Sequence, residues 1–330
     1  MGKIKVGVVG VGGMGGGHVK AWKTIEGAEL VAICDILPKK HDKERYYDNL
    51  DAMLDNEKLD ILDVCTPTYL HKEHSLKGIE RGLHVFSEKP VALFPKDVTE
   101  IYDTAERKNV KFMVGQVLRF WTEYIYLKDV FDTKKYGSLQ NGTMWRMGGI
   151  PGWSWENWMH DEDKSGLAAF DMHVHDVDFM YYLLGKPNAV VSSRVKEGVV
   201  YPRHDYICTK YMYDDFFINC ESAWHSANIR FGAGFRFYFE EAVLDYTKGE
   251  LLIYENDECE PVVVEPDKVI GSTGINVNTT DAYANELRHF LDCVANNKPV
   301  EIMNREQVYG VLSLIHKELE SAETGQIVRV

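Results

Sequence analysis

No two of the six cysteines (Cys34, Cys65, Cys208, Cys220, Cys259 and Cys293) stand in a C-x-x-C spacing, and several lie inside apolar runs. That excludes a disulfide framework or zinc-finger pattern, and the thiols read as reduced and buried, as in a cytoplasmic protein. Positive charge is also short: 37 Lys and Arg stand against 51 Asp and Glu, a formal net charge of −14. Such a surface repels phosphate backbones and anionic lipid, so neither nucleic acid nor a membrane is an expected partner, and a small neutral molecule fits better. Long apolar runs are missing too. Nothing approaches the roughly eighteen consecutive apolar residues of a membrane span, the first apolar run is too short and glycine-broken for a signal peptide, and Val6 stands where a myristoylation site needs Ser or Thr. Internal repeats and low-complexity segments are likewise absent. At 330 residues and 45% hydrophobic, the chain has material for two domains with a core each.

Glycine, by contrast, is concentrated near the N-terminus. The β-branched run Ile4 to Val9 leads into Gly10-Val11-Gly12-Gly13-Met14-Gly15, and the residues up to Trp22 suit a helix. Strand, glycine turn and helix in this order are the setting that a dinucleotide fingerprint, G-x-G-x-x-G, requires. Gly10 permits the tight turn, Gly12 a close approach to a pyrophosphate and Gly15 close packing of helix on sheet. The helix N-terminus, at Gly13 and Met14, offers free N–H groups to phosphates. A second apolar strand, Ala28 to Cys34, ends in Asp35, near where this fold places the carboxylate that hydrogen-bonds an adenosine ribose. Ile36 and Leu37 follow instead of a Ser/Arg pair, which favours NAD; Lys39 and Lys40 could reach a 2′-phosphate and keep NADP open.

Onward from Asp35 the pattern predicts small helices at Lys39 to Arg45 and Asn49 to Leu54, a buried strand at Ile61 to Cys65, a helix from His71 to Arg81, a strand from His84 to Ser87, a helix from Pro95 to Lys108 and a strand from Lys111 to Gly115. This alternation makes a doubly wound parallel sheet. After a helix at Tyr124 to Phe131 the character changes to aromatic and β-branched runs: Gly142 to Met147, Ala189 to Val195, Tyr206 to Tyr213, Phe216 to Trp224, Phe231 to Phe239 and Leu251 to Tyr254. Turns such as Asp214-Asp215 and Lys248-Gly249 give them the look of antiparallel hairpins. Helices are expected from Phe170 to Leu184, Ala282 to Ala295 and Arg305 to Ala322, and a flexible loop from Pro266 to Thr280. The fold class is therefore α/β: a doubly wound N-terminal domain over residues 1–120, and over residues 121–330 an α+β domain with a large open, mainly antiparallel sheet.

Three further constellations carry candidate chemistry. Thr66-Pro67-Thr68-Tyr69-Leu70-His71 follows a strand at the carboxyl edge of the sheet, where open α/β sheets put ligands, although by itself it is merely a strand and a turn. Glu88-Lys89-Pro90 lies at another strand end, where Lys89 is either a surface lysine or an ammonium turned into the same crevice. In Asp171-Met172-His173-Val174-His175-Asp176-Val177-Asp178, a helix would put Asp171, His175 and Asp178 on one face. An acid beside an imidazole suits a general base; acids decorating a first helical turn, or metal ligands, are the competing readings. His173 and His175 point some 200° apart on a helix, so no metal is expected.

Together, the glycine loop with His18, Thr66-Pro67 with His71, Glu88-Lys89-Pro90, and the D-x-x-x-H-x-x-D spacing of Asp171, His175 and Asp178 resemble the Gfo/Idh/MocA oxidoreductases, a family of sugar and inositol dehydrogenases. Arg119-Phe120, Tyr283 ahead of Glu286 and Phe290, and the closing Ser321-Ala322-x-Thr324-Gly325 fit as well. The resemblance implies an N-terminal Rossmann domain and a C-terminal substrate-binding and oligomerisation domain that forms dimers or tetramers through its sheet. It implies Lys89, Asp171 and His175 as the catalytic group, and Tyr283 beside the substrate. Cofactor contacts are expected from Gly10, Gly12, Gly13, Met14, Gly15, Asp35, Thr66, Pro67, His71, Glu88, Lys89 and Arg119. Two departures stand out: the family usually has glycine where His173 stands, and a run of glycines at Gly166 to Ala169.

Oxidising a secondary alcohol requires a base for the hydroxyl proton as hydride leaves the adjacent carbon, and histidine's ordinary pKa of about 6.5 suits the task. His175 is the expected base, Lys89 the donor that stabilises alkoxide charge, and Asp171 the group that orients the sugar. Pro151-Gly152-Trp153-Ser154-Trp155-Glu156-Asn157-Trp158 packs three indoles into six residues; Trp153 is a candidate substrate contact, since indole faces stack on sugar rings, and equally a candidate interface residue. The leading expectation is NAD(P)-dependent oxidation of a sugar, sugar derivative or inositol. The alternatives are a redox-neutral enzyme that oxidises transiently to permit elimination or glycoside cleavage, and a catalytically silent nucleotide sensor.

Overall fold

The computed structural model describes residues 2–37, 44–196, 204–227, 229–256, 262–264 and 282–330. In chain order the elements are β1 (Ile4–Val9), α1 (Gly13–Thr24), β2 (Ala28–Cys34), β3 (Arg45–Tyr47), α2 (Leu50–Asn56), β4 (Ile61–Val64), α3 (Thr68–Glu80), β5 (His84–Glu88), α4 (Pro95–Lys108), β6 (Phe112–Gly115), α5 (Thr122–Thr133) and β7 (Leu139–Gly149). There follow α6 (Glu162–Ser165), α7 (Leu167–Asp171), α8 (His173–Leu184), β8 (Ala189–Lys196), β9 (Asp205–Met212), β10 (Phe217–His225), β11 (Gly232–Phe239), β12 (Ala242–Tyr246), β13 (Leu251–Glu255), β14 (Val262–Val264), α9 (Ala282–Ala295), α10 (Arg305–Thr324) and β15 (Val328–Arg329).

Two compact units result: Met1–Phe120 with Val269–Tyr309, and Trp121–Lys268 with Gly310–Val330. The change of unit after Phe120 falls where the sequence pattern changes, but residues 121–330 are not one unit, because the described residues 282–309 group with the first. Its helix α9 buries Leu287, Phe290 and Leu291, and Phe290 meets Phe86 of β5 edge-to-face at 5.8 Å. An apolar helical stripe records that a face is buried, not which sheet buries it.

The first unit is built on a six-stranded parallel sheet in the order β3-β2-β1-β4-β5-β6. Helices cover both faces of such a sheet, so its strands read as continuous apolar runs; β4 and β6 are buried throughout. Strand order reverses between β1 and β4, which opens a crevice at the carboxyl ends of these strands. The helix expected from Lys39 to Arg45 lies largely outside the described residues, and Arg45 itself begins β3. Asn49 caps α2, its Oδ1 accepting the Ala52 N–H at 3.0 Å.

The second unit holds a nine-stranded sheet, β14-β13-β12-β11-β7-β10-β9-β8-β15, in which β7 and β10 alone run parallel among the described strands. Burial alternates residue by residue along β9, as in a sheet with one covered face. On that face Tyr124 of α5 packs edge-on against Phe179, Phe235 and Tyr246 at 4.8, 5.0 and 6.2 Å. The helix expected from Phe170 to Leu184 is instead two, α7 and α8, joined at Met172. Strand β12 goes unread in the sequence because its turn from β11 is Glu240-Glu241, with no glycine, proline or asparagine to mark it. The loop expected from Pro266 to Thr280 lies outside the described residues.

Candidate active site

The glycine turn is shaped by close backbone approach. Gly10 has φ +81°, and a Cβ there would meet the Cys65 carbonyl and the Thr66 nitrogen at 2.7 Å; a Cβ on Gly15 would lie 1.8 Å from the Gly10 oxygen. Both positions therefore exclude any side chain, and they seat the turn directly on the exit of β4. A Cβ on Gly12 would meet nothing within 4 Å, so this side of the turn stands open at the start of α1. No acidic residue occupies the first turn of α1, which leaves its positive end and the N–H groups near Gly13 and Met14 for an outside anion. Asp35, just past β2, accepts the Val11 N–H on Oδ2 and the Leu37 N–H on Oδ1, both at 2.8 Å, while the Tyr46 hydroxyl donates to its carbonyl. An open glycine, an uncompensated helix end and an anchored carboxylate beside them fit a dinucleotide.

At the ends of β4 and β5 the structure brings two expected segments together. The His71 ring is buried, with Nε2 2.6 Å from the Thr66 carbonyl and Nδ1 2.8 Å from that of Pro90; burial pushes its pKa below the usual range, against those two carbonyls. It thus ties the loop after β4, where Pro67 precedes α3, to the Glu88-Lys89-Pro90 turn. A neutral ring has one N–H, so it donates to one of these carbonyls while its other nitrogen packs against the second. Lys89 is half-buried at the carboxyl end of β5. Glu88 points inward and accepts the Lys89 N–H on Oε2 at 3.1 Å. Arg119 is also turned inward: its Nη1 donates to the Ile302 carbonyl and to Gln307 Oε1, binding the returning segment to the sheet.

Beneath the turn lies a buried ionic cluster. The His18 ring on α1 has Nδ1 2.9 Å from Asp63 Oδ2 and Nε2 2.9 Å from Glu88 Oε1. Asp63 also accepts from Trp22 Nε1 at 2.7 Å and from the Cys65 thiol at 3.3 Å. Burial disfavours charge on His18, but Cys65 and the Asp63 carboxylate outweigh it and raise the imidazole's pKa well above the usual range. Burial, with Glu88 beside it, pushes the pKa of Glu286 on α9 well above the usual carboxylate range. Donor atoms of His18, Asp63 and Cys65, and of His18, Glu88 and Glu286, lie within 4.8 Å of one another; the His18–Asp63 contact is a hydrogen bond, whereas the His18–Glu88 contact is a close charge contact outside hydrogen-bond geometry. Tyr283, expected beside the substrate, has its ring 6.3 Å from that of His18. Sequence reasoning passed over Asp63 and Glu286 as members of this cluster; the available signal was an acid in the middle of the otherwise apolar strand Ile61-Leu62-Asp63-Val64.

In the second unit Asp171 closes α7 and His175 sits in the first turn of α8, both half-buried, whereas Asp178 is fully buried. The joint between them is pinned by His173, whose Nδ1 lies 3.1 Å from Ser222 Oγ and whose Nε2 lies 3.0 Å from Glu318 and 3.1 Å from the Tyr211 hydroxyl. That pull into the sheet accounts for two helices where the apolar period predicts one. Arg146 of β7 clamps Asp176 with two hydrogen bonds, at 3.0 and 3.3 Å. The three tryptophans divide: Trp153 is 73% exposed and Trp155 40%, while Trp158 packs on Met159, Leu167, Ala168, Met172 and Trp224. Glu156 and Asn157 between them take left-handed backbone, φ 49° and 54°.

Comparison with known proteins agrees with this architecture. Residues 4–116 match the model described as an oxidoreductase family with an NAD-binding Rossmann fold, and residues 124–244 match the GFO/IDH/MocA C-terminal domain. A D-glucoside 3-dehydrogenase of Escherichia coli is 29% identical over 202 residues, 56% of this chain and 55% of that protein. A 2,7-anhydro-N-acetylneuraminate hydratase of Mediterraneibacter gnavus is 28% identical over 267 residues, 77% of this chain and 67% of that protein. The matches thus span from about half to two thirds of these relatives. A levoglucosan dehydrogenase solved with NADH and levoglucosan superposes with a TM-score of 0.86 over 99% of each chain at 19% identity, a likeness of fold. With the glycine turn open to a dinucleotide and both halves of the family pattern matched, the chain belongs to the GFO/IDH/MocA family of NAD-binding oxidoreductases.

Proposed function

We propose that the protein oxidises a secondary alcohol of a sugar, sugar derivative or inositol, with Lys89, Asp171 and His175 as its catalytic group. The observation that supports this most is the placement of Lys89 at the carboxyl end of β5, the sheet edge on which the Gly10 turn opens. Bound NAD supplies the hydride acceptor. His175 takes the hydroxyl proton, Lys89 donates a hydrogen bond to the same oxygen as negative charge develops there, and Asp171 accepts from a neighbouring hydroxyl to set the ring's orientation. Trp153 and Tyr283 line the substrate. NAD is preferred to NADP because Asp35 is anchored where a ribose hydroxyl would bond, and a 2′-phosphate would meet its charge. The relatives named as dehydrogenases of glucosides, glucose 6-phosphate and inositol support the substrate class. Assembly as a dimer or tetramer through the open sheet, and a cytoplasmic location, complete the proposal.

The test is a panel of polyols, sugars and glycosides with NAD and NADP, read at the reduced-nicotinamide absorbance. Lys89→Ala and His175→Ala are each expected to keep NADH affinity while turnover falls roughly 10²- to 10⁴-fold; near wild-type rates in both would sink the assignment. A second reading is favoured by the two relatives named as hydratases: oxidation at one carbon acidifies its neighbour, elimination or hydration follows, and the oxidation is reversed. Product formed without net NADH identifies this cycle. Light scattering of the purified protein settles the assembly, a monomer refuting the proposed oligomer.

A further inference from the structure

Lys89 projects from a turn, and a turn alone does not fix a flexible four-carbon side chain. Its backbone, however, is held from two sides within the first unit. The Pro90 carbonyl packs 2.8 Å from the buried His71 ring, and Glu88 lies in contact with His18 while accepting the Lys89 N–H. His18 belongs to α1, the helix whose N-terminus opens beside Gly12, so one buried ring joins the nucleotide-facing helix to the residue before Lys89. We propose that His18 is a positioning residue for the reaction: by pairing with Glu88 it holds the Glu88–Lys89 turn, and hence the Lys89 ammonium, at a fixed distance from the glycine turn.

Charge supports the assignment. Asp63 of β4, Cys65 just after it, Glu88 of β5, and Glu286 and Tyr283 of α9 all face the ring. Three carboxyl groups thus surround one imidazole, and burial with Glu88 alongside favours the protonated form of Glu286. A buried ion pair needed only for stability gains nothing over packed apolar residues; one placed next to Lys89 and on α1 sets a distance between two elements.

The proposal rests on Lys89 acting as described above, and the variants separate the two. His18→Gln and Glu88→Gln are compared with wild type and Lys89→Ala for kcat, alcohol KM, NADH affinity by fluorescence titration, and cooperative thermal melting. Glu88→Gln keeps the acceptor for the Lys89 N–H but removes the charge that pairs with His18. Expected in both is a kcat lower by roughly 10- to 100-fold, the scale of a small misplacement of a catalytic group, with KM and NADH affinity within about threefold. The double variant should be no slower than the slower single one, since the two residues act as one unit. If His18→Gln does not melt cooperatively, Glu88→Gln carries the test. Should Lys89→Ala abolish turnover while Glu88→Gln keeps wild-type kcat, the positioning role is refuted and the reading of Lys89 survives; should Lys89→Ala stay active, that reading fails first.

Discussion

A buried imidazolium among carboxyl groups ties stability to pH with a definite sign. The raised pKa of His18 means that the folded chain keeps a proton which the unfolded chain releases near its ordinary value of 6.5, so that contribution is whole below this value and is lost as pH climbs through the folded one. Glu286 acts in the same direction from its ordinary value of 4.5 upward, because burial and Glu88 raise its pKa in the fold. The melting temperature of the cofactor-free protein should therefore fall from neutral toward alkaline pH, and the slope should be shallower in His18→Gln; a parallel slope would contradict the assignment of the proton. The glycines offer a second contrast at this scale. Gly15→Ala places a methyl 1.8 Å from the Gly10 oxygen and should disrupt the fold of the turn. Gly12→Ala meets nothing in the chain. It should melt like wild type yet bind NADH at least roughly tenfold more weakly, since its methyl occupies the pyrophosphate's approach; unchanged affinity would mean that the phosphates lie elsewhere.

Among the elements, α8 shows what sequence patterns carry and what they omit. Its apolar stripe of Val174 and Val177 is visible in the letters, and so is the D-x-x-x-H spacing. The break at Met172 is not, because it follows from His173 reaching Ser222, Tyr211 and Glu318, residues between 38 and 145 positions away whose contact no local period encodes. The same holds for Asp176: read as one acid in a row of them, it is the buried partner of Arg146. Asp176→Ala removes the buried carboxylate that pairs with this guanidinium and should cost about 3 to 5 kcal/mol, measurable by denaturant titration; a loss below 1 kcal/mol, in the range of exposed pairs, would show the clamp to be dispensable. In the parallel sheet, by contrast, β2, α4 and β6 fall almost where strand runs, an N-terminal proline and a left-handed Asn109 stop place them. Local signals suffice there because each element buries its apolar face on its sequence neighbours.

For the whole molecule, ligand linkage gives the simplest check on cofactor choice. Binding to the native state alone at 100 times Kd adds about 2.7 kcal/mol, so NADH should raise the melting temperature by several degrees and NADPH at the same concentration by clearly less; equal shifts would overturn the role given to Asp35. At this scale the family pattern, the two-part architecture and the glycine turn are legible from the sequence. The route of the chain is not. Helix α9 has the right period and bounds, yet its destination is chosen by Phe86, Gly27 and the residues of α1 more than two hundred positions earlier.

That return journey of α9 has a consequence for synthesis. A ribosome that has released residues 1–120 has delivered six strands and their helices, but not the cover for Phe86 or the carboxyl that completes the His18 cluster. The dinucleotide fold is finished only after the strands of the other unit have been made, so a nascent chain stalled before Ala282 should hold its parallel sheet as a loose, protease-sensitive intermediate. Chaperone demand should accordingly peak late in translation rather than when the first domain emerges.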